Sequence, residues 1–160
     1  MIVVGDTTPL RYLVVLGNID VIPQLFGQLH CPEEVIGECR HARAPEVLRE
    51  WVEAPPTWLI IHKLQDVEPE LASGLDSGEA AAITLAQLLE AEVILIDERG
   101  GRLVALERGF IPAGTLNILA QAGIRGWLDY HAASARLKNE TNFHATQAVI
   151  DAAWQAIQPR

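Results

Sequence analysis

Two aspartates stand directly after short apolar runs. Asp6 follows Ile2-Val3-Val4-Gly5, and Asp97 follows Val93-Ile94-Leu95-Ile96. In open α/β sheets a ligand sits outside the carboxyl ends of the strands, where the strand order switches. If these two runs are neighbouring strands there, Asp6 and Asp97 meet at one crevice. Carboxylates brought together without a cation repel and raise one another's pKa. A divalent metal is the usual reason to tolerate them. The plainer alternative is that each acid caps the helix that follows it. Glu79 opens the helix leading into the Val93 run, and Asp76-Ser77-Gly78-Glu79 fits a capping box with Asp76 as the cap. A carboxylate in a first helical turn can serve as a cap and still face the strand ends. Glu38 lies in the helix after Pro32, beside an apolar stripe of Val35, Ile36 and Cys39. Its other reading is a solvated helix glutamate, with Glu34 one turn earlier on the same face.

Other chemistry is less well supported. The histidines His30, His41, His62, His131 and His144 show no HxH or HExxH spacing, which argues against zinc. There is no GxSxG and no Walker loop; the stretch Gly74–Gly78 lacks the lysine that a phosphate loop needs. Arg99 and Arg102 flank Gly100-Gly101 just after Asp97 and are candidates for holding a phosphate. Arg40, His41 and Arg43 form a second small basic cluster after Glu38. The four tryptophans read as core or interface rather than as platforms for stacked bases.

The elements that must position these residues follow from apolar patterning. Strand-like runs lie at 2–5, 29–31, 58–61 and 93–96, with a weaker one at 110–111. Helical stretches lie at about 9–17, 20–26, 33–53, 78–90, 99–108, 115–123, 126–137 and 144–157. Continuous apolar strands separated by helices predict a parallel sheet covered on both faces. Thr8-Pro9 reads as a cap with proline at the first helical position. Cys31-Pro32-Glu33-Glu34 places proline and acids in a first turn. Gly109 and Gly123 stand where helices should stop. The acidic stretch Gln65–Ser77 reads as a surface loop.

With 160 residues, the chain has the length of a single domain, taken as 1–160 with 126–160 as a C-terminal helical extension. Apolar residues make up 49% and charged residues 21%, which excludes a disordered tail, a collagen-like chain and a coiled coil. The longest apolar run, Tyr12–Leu16, is far too short to span a bilayer, and Asp6 interrupts the first apolar stretch where a signal peptide would need continuity. Cys31 and Cys39 read as reduced thiols of a cytoplasmic protein. The formal charge of −9 means that the surface does not attract a phosphate backbone by itself, unless bound divalent cations change the local sign.

Asp6-Thr7-Thr8-Pro9-Leu10 resembles the opening Asp-Thr/Ser-Ser-Pro-Leu of PIN domains. Pro32-Glu33-Glu34-Val35-Ile36-Gly37-Glu38 is similar to their Pro-x-x-Val-x-x-Glu segment. Gly78-Glu79-Ala80 and its flanks resemble their Gly-Glu-Ala helix, and Leu95-Ile96-Asp97-Glu98-Arg99 their strand-end acid. Gly114-Thr115-Leu116 with Ile118-Leu119 is similar to the end of the core in a prokaryotic branch of the family. The likeness runs from Met1 to about Gly123, more weakly beyond. Cys31 stands where Ile or Val is commoner, and Asn142 where this branch often has Gly; neither touches the acids.

The resemblance implies a three-layer α/β/α sandwich with a five-stranded parallel sheet in the order 3-2-1-4-5. That order places the 2–6 and 93–97 segments side by side. It also implies Mg²⁺- or Mn²⁺-dependent ribonuclease chemistry, with Asp6, Glu38, Glu79 and Asp97 as an acidic quartet that holds the metal. Thr7 would help to orient a water on the metal. Glu98 would supplement or replace Asp97, and Asp76 is a stand-in for Glu79. By family analogy the partners are RNA, an antitoxin protein and a second copy of the chain. The rivals are a weakly catalytic PIN-like binding or regulatory module, and phosphotransfer on Asp6. The phosphatase form of the latter is disfavoured because no second Asp follows two residues later.

Overall fold

The computed structural model describes residues 1–159. The five strands are β1 (Val3–Gly5), β2 (Leu29–Pro32), β3 (Leu59–His62), β4 (Val93–Leu95) and β5 (Ile111–Ala113). They form one sheet in the order β3-β2-β1-β4-β5, with every pairing parallel. The sandwich and its strand order are therefore as the resemblance implies. Successive strand residues point to opposite faces, and both faces are covered. Val3, Leu29, Cys31, Val93 and Leu95 enter one core, while Val4, Ile94 and Ile96 enter the other.

The second core is capped by α5 (Pro69–Gly74), α6 (Ser77–Leu88) and α7 (Arg99–Glu107), through Leu71, Ile83, Leu85 and Ala105. The first is covered by α1 (Thr7–Leu16), α2 (Val21–Phe26), α3 (Glu33–Arg40), α4 (Glu46–Glu53) and α8 (Thr115–Ile124). Helices α9 (Tyr130–Glu140) and α10 (Gln147–Ala156) join that same core through Tyr130, Ala133, Leu137 and Ile150. Cys31 and Cys39 are both buried and free. No helix is long and apolar enough to cross a membrane among the described residues.

Several boundaries differ from the sequence expectation, each for a local reason. The helix expected over 33–53 is two helices, because Pro45 disfavours helical backbone at Ala44 and then opens α4. The first helix begins at Thr7 with Asp6 in the capping position, not at Thr8-Pro9. The last strand includes Pro112, which an edge strand tolerates because one of its sides has no ladder to satisfy. The 65–77 stretch contains the short helix α5.

Gly123 does not stop α8. It lies inside the helix beneath Trp154, which stacks on Tyr130 with ring centroids 5.1 Å apart. A Cβ at Gly123 would stand 3.0 Å from both Trp154 Cζ3 and Tyr130 Cβ. Gly126, at φ +77°, makes the turn instead.

These two kinds of glycine predict opposite responses. Gly123→Val should lower stability by about 1–3 kcal/mol through overpacking. Gly37→Ala, in mid-helix with nothing within 4 Å of its Cβ, should raise it by roughly 0.5–1 kcal/mol. Urea unfolding of both variants checks the pair.

Candidate metal centre

The parallel pairing of β1 with β4 aligns Gly5 with Leu95, and the Asp6 amide continues the ladder by donating to Leu95 O at 2.9 Å. Asp6 thus leaves the sheet at the switch in strand order, only 3% exposed. It does not cap α1 with its side chain, and its Oδ1 is buried without a partner. Burial raises the Asp6 carboxyl well above its ordinary value. The Thr7 amide opposes that rise, and the charges of Asp76, Glu79 and Glu38 add to it.

Glu38 reaches the same place from α3. Thr7 Oγ1 donates to its Oε2, and the Gly78 amide donates to its Oε1 at 3.2 Å. The Glu38 carboxylate is therefore gripped from both sides, by the first turn of α1 and the first turn of α6. Asp76 arrives at the head of α6. Its side chain accepts from Glu79 N at 2.8 Å, while Glu79 Oε1 accepts from Asp76 N at 3.3 Å, completing the capping box expected from the sequence. One oxygen from each of Asp6, Glu38 and Asp76 lies within 4.8 Å of the others.

The structure therefore draws together a slightly different set from the quartet. Asp76, expected only as a stand-in for Glu79, belongs to this three-residue group. Glu79 is buried beside it but turned into its own cap, with Oε2 left without a partner. Burial and the neighbouring Asp76 raise the Glu79 carboxyl to about 7. Asp97 sits one cleft away. Both of its oxygens are taken by Thr115, Oδ1 by the amide at 2.8 Å and Oδ2 by the hydroxyl at 2.7 Å. It does the work of an N-cap for α8, because Gly114 in the capping position has no side chain. Burial raises the Asp97 carboxyl, and the two Thr115 hydrogen bonds oppose that rise.

Glu98 is exposed at the head of α7. It lines both a cleft of about 610 Å³, shared with Asp97, Arg99 and Arg102, and a cleft of about 390 Å³, shared with Thr7, Glu38 and Asp76. Arg99 and Arg102 thus border the Asp97 side of the site rather than the three-carboxylate group.

Three glycines make room for these acids, a signal that the sequence reading did not use. A Cβ at Gly78 would collide with the Glu38 carboxylate. One at Gly101 would stand 2.7 Å from Glu79 Oε2, and one at Gly114 2.8 Å from Asp97 Oδ1. The sequence reading also missed His30 and His62, whose ring nitrogens lie 2.8 Å apart across β2 and β3.

No described residue forms an ion pair with this group. Among the described residues the ion pairs are Arg108–Glu68 and Arg136–Glu140, both elsewhere. The orphaned Asp6 Oδ1, the crowding and the all-oxygen donor set fit a hard divalent cation held by Asp6, Glu38 and Asp76.

Without metal the crowding costs stability, with a definite sign. A carboxyl whose folded pKa is raised contributes stability at low pH and loses it as pH rises from the unfolded value through the folded one. Metal-free Asp6→Asn should therefore be more stable than the parent at pH 8. The expected gain is on the order of 2 kcal/mol, or roughly 4–8 °C for a chain of this size. The gain should shrink as pH falls toward 4. Melting curves of both proteins in chelator across that range are the check.

No curated protein matches the sequence. A family model does: the one described as a PIN domain covers residues 2–159, nearly the whole chain. With the five-stranded parallel sheet in the order β3-β2-β1-β4-β5 and acids gathered at its switch point, the chain belongs to the PIN-domain family.

Proposed function

We propose that this protein is an endoribonuclease that uses Mg²⁺ or Mn²⁺ to hydrolyse RNA phosphodiester bonds. The observation that carries the reading is the Asp6–Glu38–Asp76 group, three carboxylates within 4.8 Å with no ion pair to a cation among the described residues. PIN domains are generally metal-dependent nucleases, and the group lies where such a site belongs in an open α/β sheet. A divalent cation held there would lower the pKa of a water and neutralise charge on the phosphate.

The chain's own residues do the rest. Thr7 and Gly78 fix the Glu38 carboxylate, and the capping box fixes Asp76. Asp97 and Glu98 extend the acidic surface into the larger cleft, which Arg99 and Arg102 also line; in this reading they hold a phosphate of the substrate. No side chain needs to act as a nucleophile. The two cysteines are buried with thiols pushed far up, Cys39 to about 12 and Cys31 beyond that, so neither supplies a thiolate at neutral pH.

In the same reading the enzyme works in the cytoplasm as the toxin of a toxin–antitoxin pair, with an antitoxin protein and a second copy of itself as partners. That part rests on family analogy. Two observations favour a second reading, a weakly catalytic nucleic-acid-binding or regulatory module: Thr115 occupies both oxygens of Asp97, and the capping box holds Glu79.

RNA cleavage with Mn²⁺ separates the two. The parent should cleave and EDTA should stop it. Asp6→Asn should lose roughly a thousandfold in rate, the effect of several kcal/mol of transition-state stabilisation. RNA binding without any Mn²⁺-dependent cleavage by the parent would favour the module. Full activity in Asp6→Asn would sink the nuclease reading.

A further inference from the structure

Helix α1 carries a cation on the same face as the residue that grips Glu38. Thr7 and Arg11 are four residues apart, one helical turn, so their side chains share a face. Arg11 lines the 390 Å³ cleft together with Glu38, Asp76, Glu98, His41 and Arg43. Its Nε is buried and has no hydrogen-bond partner. Four buried side-chain polar atoms are unpartnered among the described residues. Three of them, on Asp6, Glu79 and Arg11, belong to the acidic site and the cleft beside it. A buried donor left unmade is costly unless a ligand completes it. Arg43 approaches from the turn between α3 and α4, where its amide donates to His41 Nδ1 at 3.1 Å. Neither Arg11 nor Arg43 forms an ion pair with a described residue.

We propose that Arg11 and Arg43 form a second phosphate seat, gripping the RNA backbone in the cleft that adjoins the one bordered by Arg99 and Arg102. The inference rests on the nuclease reading and adds the path of its substrate. Guanidinium matches a phosphodiester through its planar fork, and the Arg11 guanidinium lines the cleft while lying over the Tyr12 ring, 5.3 Å from its centroid. The cleft continues past both arginines into a groove of about 380 Å³ that they also line, beside Tyr12 and Asn142. Thr8 and Glu98 are shared with the larger cleft of Arg99 and Arg102, and Tyr12 and Asn142 are shared by that cleft and the groove. A single strand laid across these joined clefts meets both pairs of arginines beside the acids. The carboxylates of Glu38, Asp76 and Glu98 outnumber the two guanidinium groups, so the seat attracts a phosphate only once a divalent cation has reversed the local sign.

The test is fluorescence anisotropy of a labelled single-stranded RNA 12-mer over a salt series. Ca²⁺ replaces Mn²⁺ so that the strand is held without turnover. Arg11→Gln and Arg43→Gln should each raise Kd about five- to tenfold at low salt. Each should also flatten the slope of log K against log salt by about 0.7, the increment for one lost phosphate contact on a single strand. Arg11→Lys should restore the slope. Arg125→Gln, whose side chain lies over the Trp127 ring, should change neither reading. Arg43 is exposed in a turn, so its variant keeps the test open if Arg11→Gln fails to fold. RNA binding with an unchanged slope in folded glutamine variants overturns the seat and leaves the nuclease reading standing. A parent that neither binds nor cleaves RNA overturns both.

Discussion

The structure is organised around negative charge that the protein does not neutralise. Three carboxylates share a few ångströms at the carboxyl ends of the central strands, and no lysine or arginine among the described residues pairs with them. Two of them, and Asp97 nearby, are held instead by neutral donors. A hydroxyl and an amide hold Glu38, the Glu79 amide holds Asp76, and Thr115 holds Asp97. Such donors stabilise a carboxylate without cancelling its charge, so the site keeps its attraction for a cation. The glycines at 78, 101 and 114 belong to the same arrangement, because each removes a Cβ that would displace an acid. The strand order serves it too. Pairing β1 with β4 brings Asp6 and Asp97 to neighbouring strand ends across most of the chain.

The sequence revealed the ends of strands better than the directions of side chains. Asp6 was legible because an apolar run stops abruptly at an acid. The α6 cap was legible because a capping box is a local pattern of four residues. The strand order was legible through the family resemblance, since local patterning does not say which strands pair. What stayed hidden was tertiary. That Glu79 turns into its own cap while Asp76 faces Asp6 is a competition between two acids three residues apart, and spacing does not decide it. The grip of Thr115 on Asp97 spans 18 residues and depends on β4 lying against β5. His30 and His62 meet only because β2 and β3 pair with Pro32 opposite His62. Gly123 looked like a helix stop because a glycine that seats an aromatic ring is the same letter as one that turns a chain.

Overall charge and local charge have to be read separately. At −9 the protein repels nucleic acid over most of its surface. Arg11, Arg43, Arg99 and Arg102 nonetheless line the two clefts that the acids also line. In the proposed reading a divalent cation is a condition for binding as well as for cleavage, because without it the lining carboxylates outweigh the arginines.

All of this requires that the carboxylate group binds a metal. The most direct measurement is the anomalous difference map of a crystal soaked in Mn²⁺. The account predicts a peak in contact with carboxylate oxygens of Asp6, Glu38 and Asp76, with oxygen distances near those of a small hard divalent cation, about 2.0–2.2 Å. No peak at that group in a fully soaked crystal, or a peak only between His30 and His62, would contradict it.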